Sequence, residues 1–263
     1  MGGTGVIISG AMGRMGRNLL DVVSSDPQAS LEGLLEHQDC LQALEQWRCP
    51  ASSDPGELLS RAPSAVVIDF TLPAVTMPLV EAAVQHGNPL VTGTTGFSED
   101  EARSLEQAAA RIPIFWSPNM SVGLNALLEI LPRLTAMLGA DYDLEISEIH
   151  HKYKKDAPSG TAVKLADTLA RARGWESRET RRFCREGLIG ERPEKEIGVQ
   201  TLRGGDMVGE HTVYFLGPGE RIDVTHQVTS RETFAKGALR AAHWLSRQQP
   251  GKLYSMGDLF YGD

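Results

Sequence analysis

Residues 6–9, Val-Ile-Ile-Ser, run directly into Gly10-Ala11-Met12-Gly13-Arg14-Met15-Gly16 and then into the amphipathic Asn18-Leu-Leu-Asp-Val-Val23. A β-branched run, a glycine-rich turn and a helical repeat in immediate succession form the opening of a dinucleotide-binding βαβ unit. The glycines allow a tight turn, close approach of a pyrophosphate to the backbone, and close packing of helix on strand. The spacing is G-x-x-G-x-x-G rather than the commoner G-x-G-x-x-G, and glycine-rich turns have several causes, so the continuation decides the matter. Residues 31–35 read as a second strand ending in Glu36, about twenty residues past the last glycine, where a ribose-binding acid belongs. Residues 65–70 form a buried-type strand, 73–85 a helix, 89–96 a strand running into a small-residue loop, 99–110 a helix and 113–116 a strand. Strands alternating with helices imply a parallel, doubly wound sheet with its ligand at the C-terminal strand ends. Thr71, Gly93-Thr94-Thr95 and Ser117-Pro118-Asn119 all fall at such ends. Any one of them could simply turn the chain; three together favour binding.

From about residue 122 the pattern changes. A helix over 124–138 leads to an alternating, strand-like run at 144–150, followed by His150-His151-Lys152-Tyr153-Lys154-Lys155-Asp156-Ala157-Pro158-Ser159-Gly160-Thr161 and a helix over 161–173. The cluster therefore sits where a strand ends and a helix begins, a place with free backbone N–H groups and the positive end of a helix dipole. Its lysines and histidines add donors and a group that trades a proton near neutral pH. Such a site suits a small acidic substrate. A solvated basic loop is the plain alternative, but His-His joined to a Ser-Gly-Thr helix start is uncommon in one. After an irregular charged stretch at 178–196, residues 197–203, 210–216 and 221–228 alternate, which favours an antiparallel or mixed sheet with helices on one face. A last helix over 234–247 is expected to return to the first domain. The resulting fold is α/β: a Rossmann-like doubly wound parallel-sheet domain (1–121 plus 231–263) with an inserted, smaller α+β mixed-sheet domain (122–230) for substrate binding and oligomerisation.

Composition limits the alternatives. Among 263 residues there is no long apolar run and no signal-like N-terminal segment, so no membrane partner is expected and the cytoplasm is the expected setting. Cys40, Cys49 and Cys184 form no C-x-x-C pair, in keeping with a reducing compartment. A net charge of −8 argues against nucleic acid as the partner. No His, Cys and acid group has metal-ligand spacing, so no metal is expected. His86, His226 and His243 lie in helix or strand patterns and read as structural.

With these features in hand, the chain resembles the dihydrodipicolinate reductase family over nearly its whole length. The resemblance rests on Gly10 to Gly16, Asp69-Phe70-Thr71, Gly93-Thr-Thr-Gly-Phe97, Asn119-Met-Ser-Val-Gly123, Arg203-Gly-Gly-Asp-Met-Val-Gly-Glu-His211 and, most specifically, Glu148-Ile-His-His-Lys-Tyr-Lys-Lys-Asp-Ala-Pro-Ser-Gly-Thr161. It implies NADH- or NADPH-dependent reduction of 4-hydroxy-2,3,4,5-tetrahydrodipicolinate, a cyclic dicarboxylate imine, to tetrahydrodipicolinate with loss of water, in lysine and diaminopimelate biosynthesis. It also implies a homotetramer. By the same resemblance Gly10, Ala11, Met12, Gly13, Arg14 and Met15 hold the pyrophosphate and Glu36 with His37 meets the adenosine ribose. Phe70, Thr71, Gly93, Thr94, Thr95, Ser117, Pro118, Asn119 and Met120 flank the nicotinamide. His150 takes the general-acid role and Lys154 is the second proton-donor candidate. His151, Ser159, Gly160 and Thr161 contact the substrate, whereas His211 matches a family motif without an assigned task.

The chain departs from the family pattern at two cofactor positions. His37 follows Glu36 where many members have arginine, and Leu72 follows Asp-Phe-Thr where arginine is also frequent. An acid at the ribose repels a 2′-phosphate, and a missing arginine removes the bidentate contact that would compensate. Use of both nucleotides with a lean toward NADH is therefore expected, with Arg14 able to restore NADPH binding. Two other readings compete. A different inserted-domain dehydrogenase, of the semialdehyde or diaminopimelate type, shares the architecture, but semialdehyde chemistry needs a nucleophilic cysteine and none here is suitably placed. A non-catalytic NAD(H)-sensing module explains the glycine turn and leaves His150, His151 and Lys154 without a task.

Overall fold

The computed structural model describes residues 3–262. In chain order they form β1 (Thr4–Ser9), α1 (Arg14–Ser25), β2 (Ala29–Leu35), β3 (Ala51–Ser52), α2 (Pro55–Arg61), β4 (Val66–Asp69), α3 (Pro73–His86), β5 (Leu90–Thr92), α4 (Glu99–Ala109), β6 (Ile114–Trp116) and α5 (Val122–Leu138). Then come β7 (Asp143–His150), α6 (Gly160–Ala172), α7 (Ser177–Thr180), β8 (Arg181–Arg182), β9 (Ile197–Arg203), β10 (Gly209–Gly217), β11 (Glu220–Val228), α8 (Glu232–Leu245), β12 (Leu253–Tyr254) and α9 (Met256–Tyr261). They divide into two compact units, one running up to Val122 and resuming at Arg231, the other covering Gly123–Ser230.

The first unit holds a sheet of order β12-β6-β5-β4-β1-β2-β3 in which every neighbouring pair is parallel. From β3 to β6 this is the doubly wound order, with β12 added at one edge. Val6, Ile7, Ile8, Val66, Val67 and Ile68 have no exposed surface, because helices cover both faces and leave such strands no polar side to show. Leu19, Leu20 and Val23 of α1 pack with Ala238, Leu239 and Ala242 of α8 on one face, and Leu79, Ala83 and Leu105 of α3 and α4 cover the other. β1 and β4 are neighbours with Ser9 opposite Asp69, and the strand order reverses between them. The crevice outside their carboxyl ends, at Gly10 and at Phe70–Thr71, is where such sheets bind ligands.

The glycine turn is built for close approach. Gly10 has φ +72°, a conformation that side chains rarely adopt, and a Cβ on Gly16 would lie 2.1 Å from the Gly10 carbonyl oxygen. α1 therefore starts flush against the turn, with Gly13 as its cap. Between Glu36 and residue 65, where the sequence showed no periodicity, the chain makes a 3-10 stretch (Gln38–Trp47), β3 and α2. β3 and β12 are two residues each, too short for an alternating pattern to register.

The second unit has a mixed sheet of order β11-β10-β7-β9-β8. β10 runs antiparallel to β7 and β11, while β7 and β9 run parallel. Leu131 of α5 and Ala162, Leu165, Ala166 and Leu169 of α6 pack on Leu144, Ile146, Val199, Val213 and Phe215 to form its core. α6 begins at the cap Ser159, whose hydroxyl accepts the Ala162 N–H. The charged stretch before β9 is tied down by Arg185, which makes a bidentate pair with Glu145 (2.8 and 2.6 Å) on the face of β7 opposite the core.

Replacing Gly16 by alanine forces α1 away from the turn. The expected cost is about 1–3 kcal/mol of stability, read as a lower urea midpoint with an unchanged slope; an unaltered midpoint would contradict the close packing.

Candidate active site

In the first unit the ligand-side loops converge on one buried carboxylate. Asp69 has no exposed surface and accepts the hydroxyls of Thr71 (2.6 Å), Thr76 (2.7 Å), Thr92 (3.0 Å) and Thr94 (2.9 Å). Thr94 Oγ1 in turn accepts the Thr71 N–H, and the Thr94 carbonyl accepts the Trp116 indole N–H. Two of the expected nucleotide-side residues, Thr71 and Thr94, are thus held by a side chain given no role from the sequence, and the Gly93 N–H donates to the main-chain carbonyl of the same Asp69 (2.9 Å). Thr95 and Pro118 are exposed beside them, and the Ser117 hydroxyl donates to the Asn119 carbonyl (2.8 Å). Ala11 and Met120 are buried in the core with no exposed surface.

Glu36 stands at the end of β2 as its spacing suggested. Its Oε2 accepts the Met12 N–H (2.8 Å) and its Oε1 the His37 N–H (2.9 Å), so the acid is locked to the glycine turn. One of the turn's donors is thereby used internally rather than left for a pyrophosphate. A carboxylate offers about four acceptor sites, which leaves room for ribose hydroxyls. Next to Gly10 lies a cavity of about 470 Å³ with Leu35, Val75 and Leu79 on its walls and Glu36, His37 and Gln38 at its rim. An apolar slot with an acid at its mouth, beside a turn free of side chains, fits the adenosine half of a dinucleotide. Arg14 is exposed at the start of α1. A larger groove of about 970 Å³ runs between α1 and α8, but its polar groups pair with one another, as in His243–Asp26 and Lys236–Glu232.

In the second unit a single strand carries the chemistry. Leu144, Ile146, Glu148 and His150 are the buried positions of β7, so the core-facing side of the strand ends in an acid and a histidine. Glu148 has no exposed surface. Its Oε2 meets His150 Nδ1 (2.6 Å) and Arg203 Nη1 (2.7 Å), and its Oε1 accepts the Ser159 N–H (2.9 Å), Arg203 Nη2 (2.8 Å) and Thr201 Oγ1 (3.2 Å). Register explains the gathering, because Thr201 and Arg203 of β9 lie opposite Glu148 and His150, and His211 of β10 lies opposite Glu148. The Ser159 hydroxyl bonds His211 Nε2 (2.8 Å), and the rings of His150 and His211 meet edge to face at 5.1 Å.

Lys154 is the one lysine of the loop that is not exposed, and its Nζ sits on both oxygens of Asp156 (2.8 and 2.9 Å). His151 is half-buried with its N–H on the Met207 carbonyl, and its buried Nδ1 has no hydrogen-bond partner among the described residues. Gly160 is exposed at the first turn of α6 and Thr161 is half-buried beside it. Ser159 is buried with its N–H and hydroxyl both engaged inside the unit.

The charges set the proton affinities. Burial alone would raise the Glu148 carboxyl, but the bonds from Arg203, His150 and Ser159 outweigh it and bring its pKa down to about 2. An ionised carboxylate only accepts, so Nδ1 of His150 is the donor. Burial lowers the His150 pKa, with Glu148 opposing and the charges of Lys154 and Arg203 pushing the same way as burial. His211 is lowered to about 3, first by burial and then by the charge of His150, with smaller contributions from His226 and Lys154 against Glu148.

Two needs of a reductase are thus met, a nucleotide seat in the first unit and a proton-handling pair in the second, and the class is an NAD(P)H-dependent oxidoreductase. The family pattern described as dihydrodipicolinate reductase, N-terminus, matches residues 4–120, and that for the C-terminus matches 123–260. The 4-hydroxy-tetrahydrodipicolinate reductase of Nitratidesulfovibrio vulgaris (strain DP4) is 54% identical over 98% of this chain and 99% of its own, and that of Lawsonia intracellularis (strain PHE/MN1-00) is 46% identical over 97% and 98%. The chain belongs to the dihydrodipicolinate reductase family. In fold it is similar to the dipicolinate-bound dihydrodipicolinate reductase of Paenisporosarcina sp. TG-14 (TM-score 0.76, 22% identity, 96% of this chain and 97% of that one). It is also similar in fold to GenD2 in complex with NAD (TM-score 0.62, 12% identity, 98% and 90%).

Glu148, Arg203 and Asp156 were not singled out from the sequence. Glu148 carried a readable signal: an acid at a core-facing position of an alternating strand, two residues before a histidine, is out of place unless it is bonded.

Acid should weaken the second unit through two groups that act in the same direction. His211 binds its proton in the unfolded chain near pH 6.5 and in the folded one only near 3, so stability present above 6.5 is lost as pH falls between those values, on the order of a few kcal/mol. Glu148 adds a second loss from about pH 4.5 down to about 2. Urea midpoints measured from pH 7.5 to 4.5 should fall in the wild type and fall less in His211→Gln; parallel curves would contradict a neutral buried His211.

Proposed function

We propose that the chain reduces 4-hydroxy-2,3,4,5-tetrahydrodipicolinate with NADH or NADPH, taking up a hydride and a proton and releasing water to give tetrahydrodipicolinate, as a step of lysine and diaminopimelate biosynthesis. The observation that carries this reading is the buried Glu148–His150 pair at the end of β7, followed by the Lys154 loop and the start of α6. It is supported by relatives of that printed name that match over essentially the whole chain.

When bound, the reduced nicotinamide supplies the hydride. Gly10 to Met15 give it a main-chain seat, Glu36 takes the adenosine ribose, and Thr71 with Gly93 to Thr95 and Ser117 to Met120 flank the reactive ring. In the second unit Gly160 and Thr161 take one substrate carboxylate at the positive end of α6, whose axis is aligned by the Ser159 cap. Lys154 and His151 face the other polar groups of the substrate, Lys154 exchanging Asp156 for a substrate carboxylate. His150 delivers the proton from Nε2 as hydride transfer places electron density on the ring. Fixed cations around a dicarboxylate also hold it in transfer geometry, where orientation supplies several kcal/mol of the barrier. Glu36 lies at the rim of the adenosine cavity and Asp39 lies 3.3 Å from Nδ1 of the rim residue His37, so nearby negative charge disfavours a 2′-phosphate. NADH is the favoured cofactor. Unit 2 bears exposed Phe183, Leu188, Ile189 and Leu202, a surface suited to a homotetramer, and the working compartment is the cytoplasm.

With substrate generated in the cuvette from pyruvate and aspartate semialdehyde by the preceding synthase, nucleotide oxidation should depend on the synthase and have the larger kcat/KM with NADH. Oxidation with neither nucleotide, from a folded protein that binds NADH, removes the proposal, and a strong NADPH preference removes the cofactor reading. His150→Ala should lower kcat about 10²- to 10⁴-fold while NADH affinity stays within about twofold. Because burial lowers the His150 pKa, kcat/KM should fall with rising pH through a limb below the ordinary histidine value near 6.5. The limb of kcat should lie higher, since a bound dianion favours the imidazolium. Coincident limbs would count against His150 as the donor.

A further inference from the structure

We infer that Glu148 is the positioning residue that makes Nε2 the proton-delivering nitrogen of His150, by holding Nδ1–H in a carboxylate that Arg203 and the Ser159 N–H anchor from the other side. This rests on the reductase reading and goes beyond it, since Glu148 has no exposed surface and acts through His150. The carboxylate is buried and meets Nδ1 at 2.6 Å, so Nδ1 keeps its proton whether the ring is neutral or charged. Nε2 is then the nitrogen that gains and loses one. Its surroundings agree: a Cβ on Gly209 would lie 2.9 Å from Nε2, so only bare main chain fits against that edge of the ring. The His211 ring packs edge to face on His150, and His211 is itself held by the Ser159 hydroxyl. The ring therefore has one orientation.

Glu148→Gln separates positioning from mere packing. Three donors (the Ser159 N–H, Arg203 Nη2 and Thr201 Oγ1) converge on Oε1, while only Arg203 Nη1 and His150 Nδ1 reach Oε2. The amide oxygen of glutamine takes the Oε1 place and its NH₂ faces Nδ1. Of the groups at that end only the imidazole adapts, by shifting its proton to Nε2. Protonation of Nδ1 would then set donor against donor, so the ring no longer becomes an imidazolium and no longer serves as the acid.

The test is ¹⁵N-resolved NMR of the His150 ring in the full-length protein above its pKa, together with turnover and its pH profile for the wild type and Glu148→Gln. The expected result is a wild-type ring protonated at Nδ1, an inverted tautomer in the variant, a loss of kcat of about 10²- to 10⁴-fold with KM within about threefold, and no His150 limb in the variant's pH profile. A wild-type ring protonated at Nε2 overturns the inference whether or not the variant folds. So does a folded variant that keeps wild-type kcat and pH limb. A wild-type protein with the expected tautomer but no synthase-dependent turnover refutes the reductase reading and leaves the tautomer assignment standing.

Discussion

A carboxylate with no exposed surface costs several kcal/mol unless opposite charge and hydrogen bonds replace the water it has lost. Glu148 meets that condition with donors from three elements: the end of its own strand, the facing residues of β9, and the main chain at the start of α6. Each donor is thereby placed, and together they define the site. His150 is aimed, Arg203 is drawn across the sheet, and Ser159 is fixed so that the first turn of α6 faces the loop carrying Lys154. The same bonds keep the carboxyl ionised and let burial keep the histidine neutral at rest. In the proposed reaction a dianionic substrate would favour the imidazolium and so reverse the second of these states.

The first unit solves a similar problem with neutral donors. Asp69 gathers four threonine hydroxyls from the ends of β4 and β5 and the first turn of α3. The loops after β4 and β5 are bound here to the two oxygens of one buried carboxylate. Hydroxyls were available because the sequence places threonine at 71, 76, 92 and 94, and parallel pairing of β4 with β5 sets Asp69 beside Thr92. Both units use a buried acid as the hub of a polar cluster whose outer members are the groups offered to ligands.

Much of this was legible in the chain. The apolar runs of β1 and β4, the glycine turn, Glu36 and the alternation of residues 144–150 carry strong local signals for the two-unit architecture, and the family is read from the resemblance of its motifs, above all residues 148–161. The short strands β3 and β12 escaped because two residues cannot show a period. The partners of Glu148 escaped because Arg203 and His211 are more than fifty residues away, and only strand register brings them near. That Ala11 and Met120 are buried does not show in the chain, because motif membership does not reveal which way a side chain points. Lys154 is chosen over its neighbours only through its register in the family motif, since charge leaves the three lysines equivalent; burial also sets it apart from Lys152 and Lys155.

The central claim is that a neutral, carboxylate-held His150 is recharged by a dianionic ligand. Titration calorimetry of pyridine-2,6-dicarboxylate at pH 7, repeated in buffers of different ionisation enthalpy, measures the proton traffic directly. Net proton uptake on binding in the wild type, absent from His150→Gln, is the predicted result. Binding without proton uptake, or with equal uptake in the variant, would contradict the account.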